Sequence, residues 1–267
     1  MLRNLMFKTL RDQRRALLWW SLGVMTFAVY TVSFYPTIRD NADQFIRIFE
    51  ELPKGFTTFL GRGGADLVTP VGYLQQQLFQ LTAPLFFLIF AIRIGARAIA
   101  GEERAGTMDL LLSTPLPRRR VILDKFAAMT MATLVLGLGF WAAVAATVSL
   151  LDMDVSYAHL SEAVLSTVLV GLVYGAVALA VGSATGSRGV AVGTATALAV
   201  ASYSVNALSA LVAALEVPAL FSPFHFYGAA VPIANGLDPS HVAVLVGLIV
   251  VFTAAALVAF DRRDIAV

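Results

Sequence analysis

Side chains able to do acid–base, nucleophilic or metal chemistry are scarce in this sequence, and their spacing excludes more than it allows. There are three histidines, His159, His225 and His241, and no cysteine, so disulfides and thiolate metal sites are ruled out. No histidine begins the HExxH pattern of a zinc protease. An intramembrane serine hydrolase needs a serine and a histidine at one depth. Ser187, in Gly186-Ser187-Arg188-Gly189, falls at the opposite end of the apolar segments from all three histidines. Asp152 and Asp154 are loop carboxylates without a partner cluster. No Gly-Lys dipeptide occurs, which excludes a Walker phosphate loop. What remains is one dense charged stretch, Gly101–Phe126, with Glu102, Glu103, Arg104, Asp109, Arg118, Arg119, Arg120, Asp124 and Lys125. Its chemistry is docking rather than bond-making. The chain reads as a non-enzyme with no catalytic residue, no metal site and no resident cofactor.

The elements that position this stretch follow from composition. Of 267 residues, 58% are hydrophobic and 13% charged, and the mean hydropathy is +0.79. Soluble domains carry roughly a quarter charged residues, so water is not the solvent for most of this surface. A spanning helix needs about 20 apolar residues. Six stretches qualify, near 16–36, 73–92, 121–150, 162–183, 190–215 and 241–260. The expected fold is an all-α, polytopic integral membrane protein forming one transmembrane domain over 1–267. The first span is expected to be uncleaved, because no small-residue cleavage pattern follows it.

Charge sets the expected orientation. Fifteen of the 19 Lys and Arg lie at the termini and the even-numbered connections. The other four, Arg39, Arg47, Lys54 and Arg62, share one loop. The positive-inside rule places both termini and the 101–126 stretch in the cytoplasm.

Leu2–Arg15 has the pattern of an amphipathic surface helix, and equally of a basic flank to the first span. Thr37–Gly72 suggests two short helices lying in the outer interface, with Phe45, Phe49 and Leu52 at helical spacing and Phe56, Phe59 and Leu60 beyond Pro53. A small cap packed on itself is the other reading. In the second span, Pro84 is expected to introduce a kink. Gln76 and Gln80 share a face there, and with Asn206 of the fifth span they are candidates for a translocation cavity, although interhelical hydrogen bonding suits the glutamines as well. Gly171/Gly175, Gly182/Gly186 and Gly189/Gly193 are GxxxG pairs that permit close helix approach, to the same chain or to a second copy. The segment 217–240 has four prolines, a cluster of Phe221, Phe224, Phe226 and Tyr227, and no Lys or Arg. It reads as short outer helices or a re-entrant segment. His225 is more simply a packing residue there than a titrating one.

Read as structure, Arg93 and Arg97 carry the second helix into the headgroup layer, Gly101 loosens it, and Thr107 can cap a new helix. Met108, Leu111 and Leu112 give that helix an apolar stripe, Pro115 ends it, and Pro117 opens the next. This is a helix–turn–helix finger whose exposed leucines need a partner. A juxtamembrane helix on the inner leaflet accounts for Arg118–Arg120 but not for Glu102 and Glu103, which anionic lipid repels.

Residues 102–119, Glu-Glu-Arg-Ala-Gly-Thr-Met-Asp-Leu-Leu-Leu-Ser-Thr-Pro-Leu-Pro-Arg-Arg, resemble the first cytoplasmic loop of permease subunits of the type-2 ATP-binding cassette (ABC) exporter superfamily. The six-span layout, the loop near Glu50–Gly61, Ser222-Pro223-Phe224 and the Asp261–Asp264 tail also resemble that family. Asp109 stands where glutamate is more usual. The resemblance implies that this loop is a coupling helix, with Glu102, Glu103, Arg104, Gly106, Thr107, Leu110, Leu111 and Pro115 at an ATPase interface. It implies two copies of a cytoplasmic ABC ATPase that bind ATP and Mg, a second permease subunit in a homo- or heterodimer, a multi-pass location in the inner or plasma membrane, and no nucleic-acid partner. The expected function is export of amphipathic, drug-like or lipid-like substrates; the alternative is a non-transporting anchor or regulatory protein that docks a cytoplasmic partner.

Overall fold

The computed structural model describes residues 5–50, 68–104, 117–228 and 230–263. The side chains of 45, 48–50 and 104 lie outside this description. The described elements are helical. They run α1 (Leu5–Ser33), α2 (Tyr35–Asp40), α3 (Ala42–Glu50), α4 (Pro70–Leu74), a π segment (Gln75–Phe79), α5 (Thr82–Ala98), α6 (Ala100–Arg104), α7 (Arg118–Leu150) and α8 (Tyr157–Thr185). Then come α9 (Arg188–Leu208), a 3₁₀ turn (Ala213–Leu215), α10 (Glu216–Ala219), α11 (Pro223–Gly228), α12 (Pro232–Asn235) and α13 (Pro239–Arg262). Six segments are long and apolar enough to cross a membrane: Leu5–Asp40, Pro70–Ala98, Arg118–Leu150, Tyr157–Thr185, Arg188–Leu208 and Pro239–Arg262. The protein is an all-α polytopic membrane protein.

The bundle is organised around α8, whose apolar residues surround its whole circumference, the signature of a helix buried on every side. It packs against α5, α13, α9 and α7, while α1 packs on α7. α13 has the highest mean hydropathy, 2.9, yet little of it is buried, and Trp19, Leu18, Val250 and Val251 stand exposed. Hydropathy and burial part company because lipid is the solvent for those faces.

Glycines set the closest approach. A Cβ on Gly95 of α5 would collide with the Gly175 carbonyl of α8, and one on Gly175 would sit 2.9 Å from Met129 Sδ and 3.0 Å from Ala91 Cβ. Gly171/Gly175 therefore packs within the chain. Gly193 has nothing within 4 Å, so the Gly189/Gly193 pair is not used in this way. Three buried hydroxyls are satisfied along their own helices: Thr133, Thr147 and Thr167 each donate to the carbonyl four residues earlier.

Of the two readings of the basic N-terminal segment, the flank is the one found: it and the first span form one helix, α1, and no glycine or proline interrupts Lys8–Arg15. Three local expectations need correction. The break in the second span falls before Pro84, not at it. Proline has no N–H to offer the Gln80 carbonyl, and its ring crowds that carbonyl. The chain accordingly makes a π segment closed by Gln80 N to Gln75 O at 2.7 Å, and Leu81 leaves helical geometry. Gly101 is helical, and the hinge before it is Ile99, at φ −113°. The fifth span ends at Leu208 rather than 215. The Ser209 hydroxyl bonds back to the Asn206 carbonyl, and Val212 turns extended. Pro117 is the N-cap of α7, with Arg118 the first helical residue. In the connection after the first span α2 and α3 are present, while Phe56, Phe59 and Leu60 lie outside the described residues.

Candidate functional site

One end of the bundle gathers the start of α1, the end of α5, the start of α7, the end of α8 and the end of α13. Leu5, Ile99, Val121, Ile122, Leu179 and Phe260 share an apolar cluster there. We call it the terminal end. The charged stretch emerges from it.

Glu102 and Glu103 lie on α6, which continues α5 after the Ile99 hinge; the amides of both bond to the Ile99 carbonyl. The two carboxylates then diverge. Lys125 Nζ of α7 donates to Glu102 Oε1 at 2.6 Å, with the Lys125 side chain 6% exposed. Arg263, just past α13, donates to both oxygens of Glu103 at 2.8 and 3.0 Å. Such bidentate pairs are the strongest geometry for these groups. Gly186 makes room for the second pair. It caps α8 at φ +64°, and a side chain there would strike Arg263 and Glu103. Arg118 Nη1 donates to the Arg263 carbonyl at 3.0 Å and stacks over the Phe260 ring at 5.9 Å. Arg119 pairs with Asp261 at 2.7 Å near the surface. The base of the segment is thus tied from α6 to α7 and to the end of α13, across 23 and 160 positions of sequence.

Of the residues expected at an ATPase interface, Glu102 and Glu103 are therefore engaged inside the bundle. Arg104 closes α6. Gly106, Thr107, Leu110, Leu111 and Pro115 lie outside the described residues, as does the expected coupling helix itself. The Lys125 and Arg263 partnerships were missed by sequence reasoning, because nothing local marks which cation a carboxylate will meet so far along the chain.

The cavity candidates converge. Gln76, Gln80 and Asn206 line one cavity of about 500 Å³, towards the end opposite the terminal one, with Tyr203, Phe224 and His225. The π segment supplies Gln76, and α9 supplies Tyr203 and Asn206. The third wall is α11, fixed by Ser222, whose hydroxyl donates to the Ser202 carbonyl at 3.0 Å and accepts from Phe224 N at 3.2 Å. Beneath it, the Tyr227 hydroxyl donates to the Phe79 carbonyl and lies 3.3 Å from Thr167 Oγ1. His225 stacks edge-on to Phe226, and its ring centroid is 6.2 Å from that of His241. Asp238 caps α13 by accepting from the Ser240 side chain and amide, which holds its carboxyl below the usual carboxylate range. Among the described residues no three His, Asp or Glu side chains converge as metal ligands. Amide side chains facing aromatic rings can bind a neutral polar or amphipathic molecule and are not arranged to break a bond in it.

No curated protein matches the chain. A family model described as ABC-2 family transporter protein matches residues 3–265. With nearly the whole chain matched and six membrane-crossing segments in the fold, the chain belongs to the ABC-2 transporter family, as a multi-pass transmembrane subunit of a kind that normally works with a cytoplasmic ATPase.

Proposed function

We propose that this subunit exports amphipathic, drug-like or lipid-like molecules, driven by ATP hydrolysis on two copies of a separate ATPase that bind the nucleotide and Mg. In this reading both termini are cytoplasmic, residues 105–116 contain the coupling helix, and a second permease subunit completes the complex. The chain has no phosphate loop of its own, so hydrolysis must be borrowed.

The observation that carries this reading is the tethering of α6. A segment that only joined two spans could hang from flexible ends. Here its root is ion-paired to α7 and to the end of α13, and α5 behind it packs along α8. Displacement of 105–116 by a closing ATPase pair would be delivered to four spans at once, which is how a local movement selects between two bundle states. Glu102 and Glu103 act as braces behind the interface, while Thr107, Leu110 and Leu111 would meet the ATPase.

Co-purification with its ATPase, followed by hydrolysis assays in proteoliposomes, tests this. The wild-type chain should form a complex and alter hydrolysis, and Leu111→Asp should abolish coupling while the chain still inserts. Solitary behaviour with no effect on hydrolysis would favour the anchor reading.

A further inference from the structure

Three arginines line the cavities near the terminal end. Among the described residues, Arg93, Arg97 and Arg188 enter no ion pair. Arg93 sits well inside α5, about a turn and a half before its end, and feels the like charges of Arg97 and Arg188. Arg93 is half-buried between helices, and an arginine withdrawn from water without an acidic partner is costly and commonly kept for function in membrane proteins.

Arg93 and Arg188 stand at the junction of two cavities. Towards the terminal end is a polar one of about 450 Å³, which Arg97, Lys125, Glu102 and Asp12 also border. Lys125 pairs with Glu102, and the cavity lining carries more cations than carboxylates. Towards the middle of the bundle is a groove of about 270 Å³ between α5 and α9. Leu85, Leu88 and Ile92 form its α5 wall at helical spacing, and Val192, Thr196 and Ala199 its α9 wall. The space exists because the α9 residues are small. The groove ends at Tyr203 and Phe224, which also border the Gln76–Asn206 cavity. From Arg188 to Tyr203 it runs for about 22 Å at 1.5 Å per residue, enough for one extended acyl chain.

We propose that the α5–α9 groove binds an anionic amphiphile from the leaflet at the terminal end, its headgroup held between Arg93 and Arg188 and one acyl chain lying along the groove. The occupant has to be both charged and apolar. Inorganic phosphate would engage the arginines and leave the groove empty. A second copy that met this groove with its own α5–α9 face would bring the same three arginines rather than an anion. Calling this ligand cargo rests on the transport reading. The binding itself needs no ATPase, so a failure to bind and a failure to couple are separate results.

The test is equilibrium binding of dye-labelled oleoyl lysophosphatidate to the full chain in zwitterionic nanodiscs. The lysophosphatidate should bind about tenfold or more tighter than oleoyl lysophosphatidylcholine, as charge-assisted hydrogen bonds to one headgroup imply. Inorganic phosphate, which meets the arginines but leaves the groove empty, should displace the lysophosphatidate only in large excess. Arg93→Gln and Arg188→Gln should each erase the headgroup preference, and Thr196→Phe should weaken both lipids by filling the groove. Arg120→Gln, on the exposed surface, should leave the preference intact. A photoactivatable acyl chain on the wild-type protein should label peptides of α5 and α9, which keeps the proposal testable if a variant fails to fold. Equal affinity for both headgroups, displacement by phosphate at the lysophosphatidate's own concentration, an Arg120→Gln effect equal to that of Arg93→Gln, or labelling confined to other helices or to a second copy would each overturn it.

Discussion

The pair between Glu102 and Lys125 allows the bracing argument to be put in numbers. Glu102→Ala removes the acceptor of a 2.6 Å bond and leaves an ammonium whose side chain is 6% exposed. Breaking one side of a buried pair costs about 3–5 kcal/mol. Glu102 itself is 29% exposed, which lets solvent reach the orphaned cation, so the expected loss is near the lower end, about 3 kcal/mol. Glu102→Gln keeps a neutral acceptor and should lose about 1 kcal/mol. Glu102→Leu with Lys125→Met removes both charges and should recover most of the loss, giving a coupling energy of about 2 kcal/mol between the sites. The assay is reversible unfolding in mixed micelles for the wild type, Glu102→Leu, Lys125→Met and the double variant, with ATPase stimulation measured on the same four proteins. The double variant should regain stability while its coupling stays impaired, because two apolar groups fill the site without fixing the angle of α6. A coupling energy near zero, or full ATPase stimulation in all four proteins, would refute the assignment of this pair as a brace.

Gly95→Ala should cost about 2–3 kcal/mol or more by forcing α5 away from the Gly175 backbone; folded yield and thermal unfolding in detergent report it, and a neutral outcome would contradict the helix contact. Tyr227→Phe removes a buried hydroxyl that donates to Phe79 and lies beside Thr167, so stability should fall by about 1–3 kcal/mol, read in the same unfolding experiment. Gln76→Leu combined with Asn206→Leu should reduce transport while leaving ATPase binding unchanged, because both residues border the same cavity; a co-purification assay beside a transport assay separates the two effects.

Hydropathy alone revealed the number and approximate place of the spans, since each must offer about 20 apolar residues whatever its neighbours. It was blind to their ends. The apolar run through 209–215 looks like more of the fifth span, but Ser209 competes for a helix carbonyl and closes α9 at Leu208. By charge Lys8–Arg15 suits a surface segment and a flank of the first span equally, and the flank is found because no residue there breaks a helix. Gln76, Gln80 and Asn206 were recognisable because polar side chains in apolar spans must face something other than lipid. Arg263 was not, since its partner lies 160 residues away and tertiary geometry alone decides the match. The track from Arg93 to Tyr203 was hidden for a related reason: each wall is an ordinary apolar stripe, and only the facing of large α5 residues by small α9 residues opens it.

The central claim is that a separate motor drives this bundle through the segment after α6. The chain contains no cysteine, so Leu111→Cys places a single thiol in that segment. With the ATPase reconstituted alongside, a thiol-reactive crosslinker should join Leu111→Cys to the ATPase, and the yield should change between nucleotide-free and ATP-bound states. A thiol that reacts only with lipid-borne reagents and never crosslinks to the ATPase in either state would contradict the account.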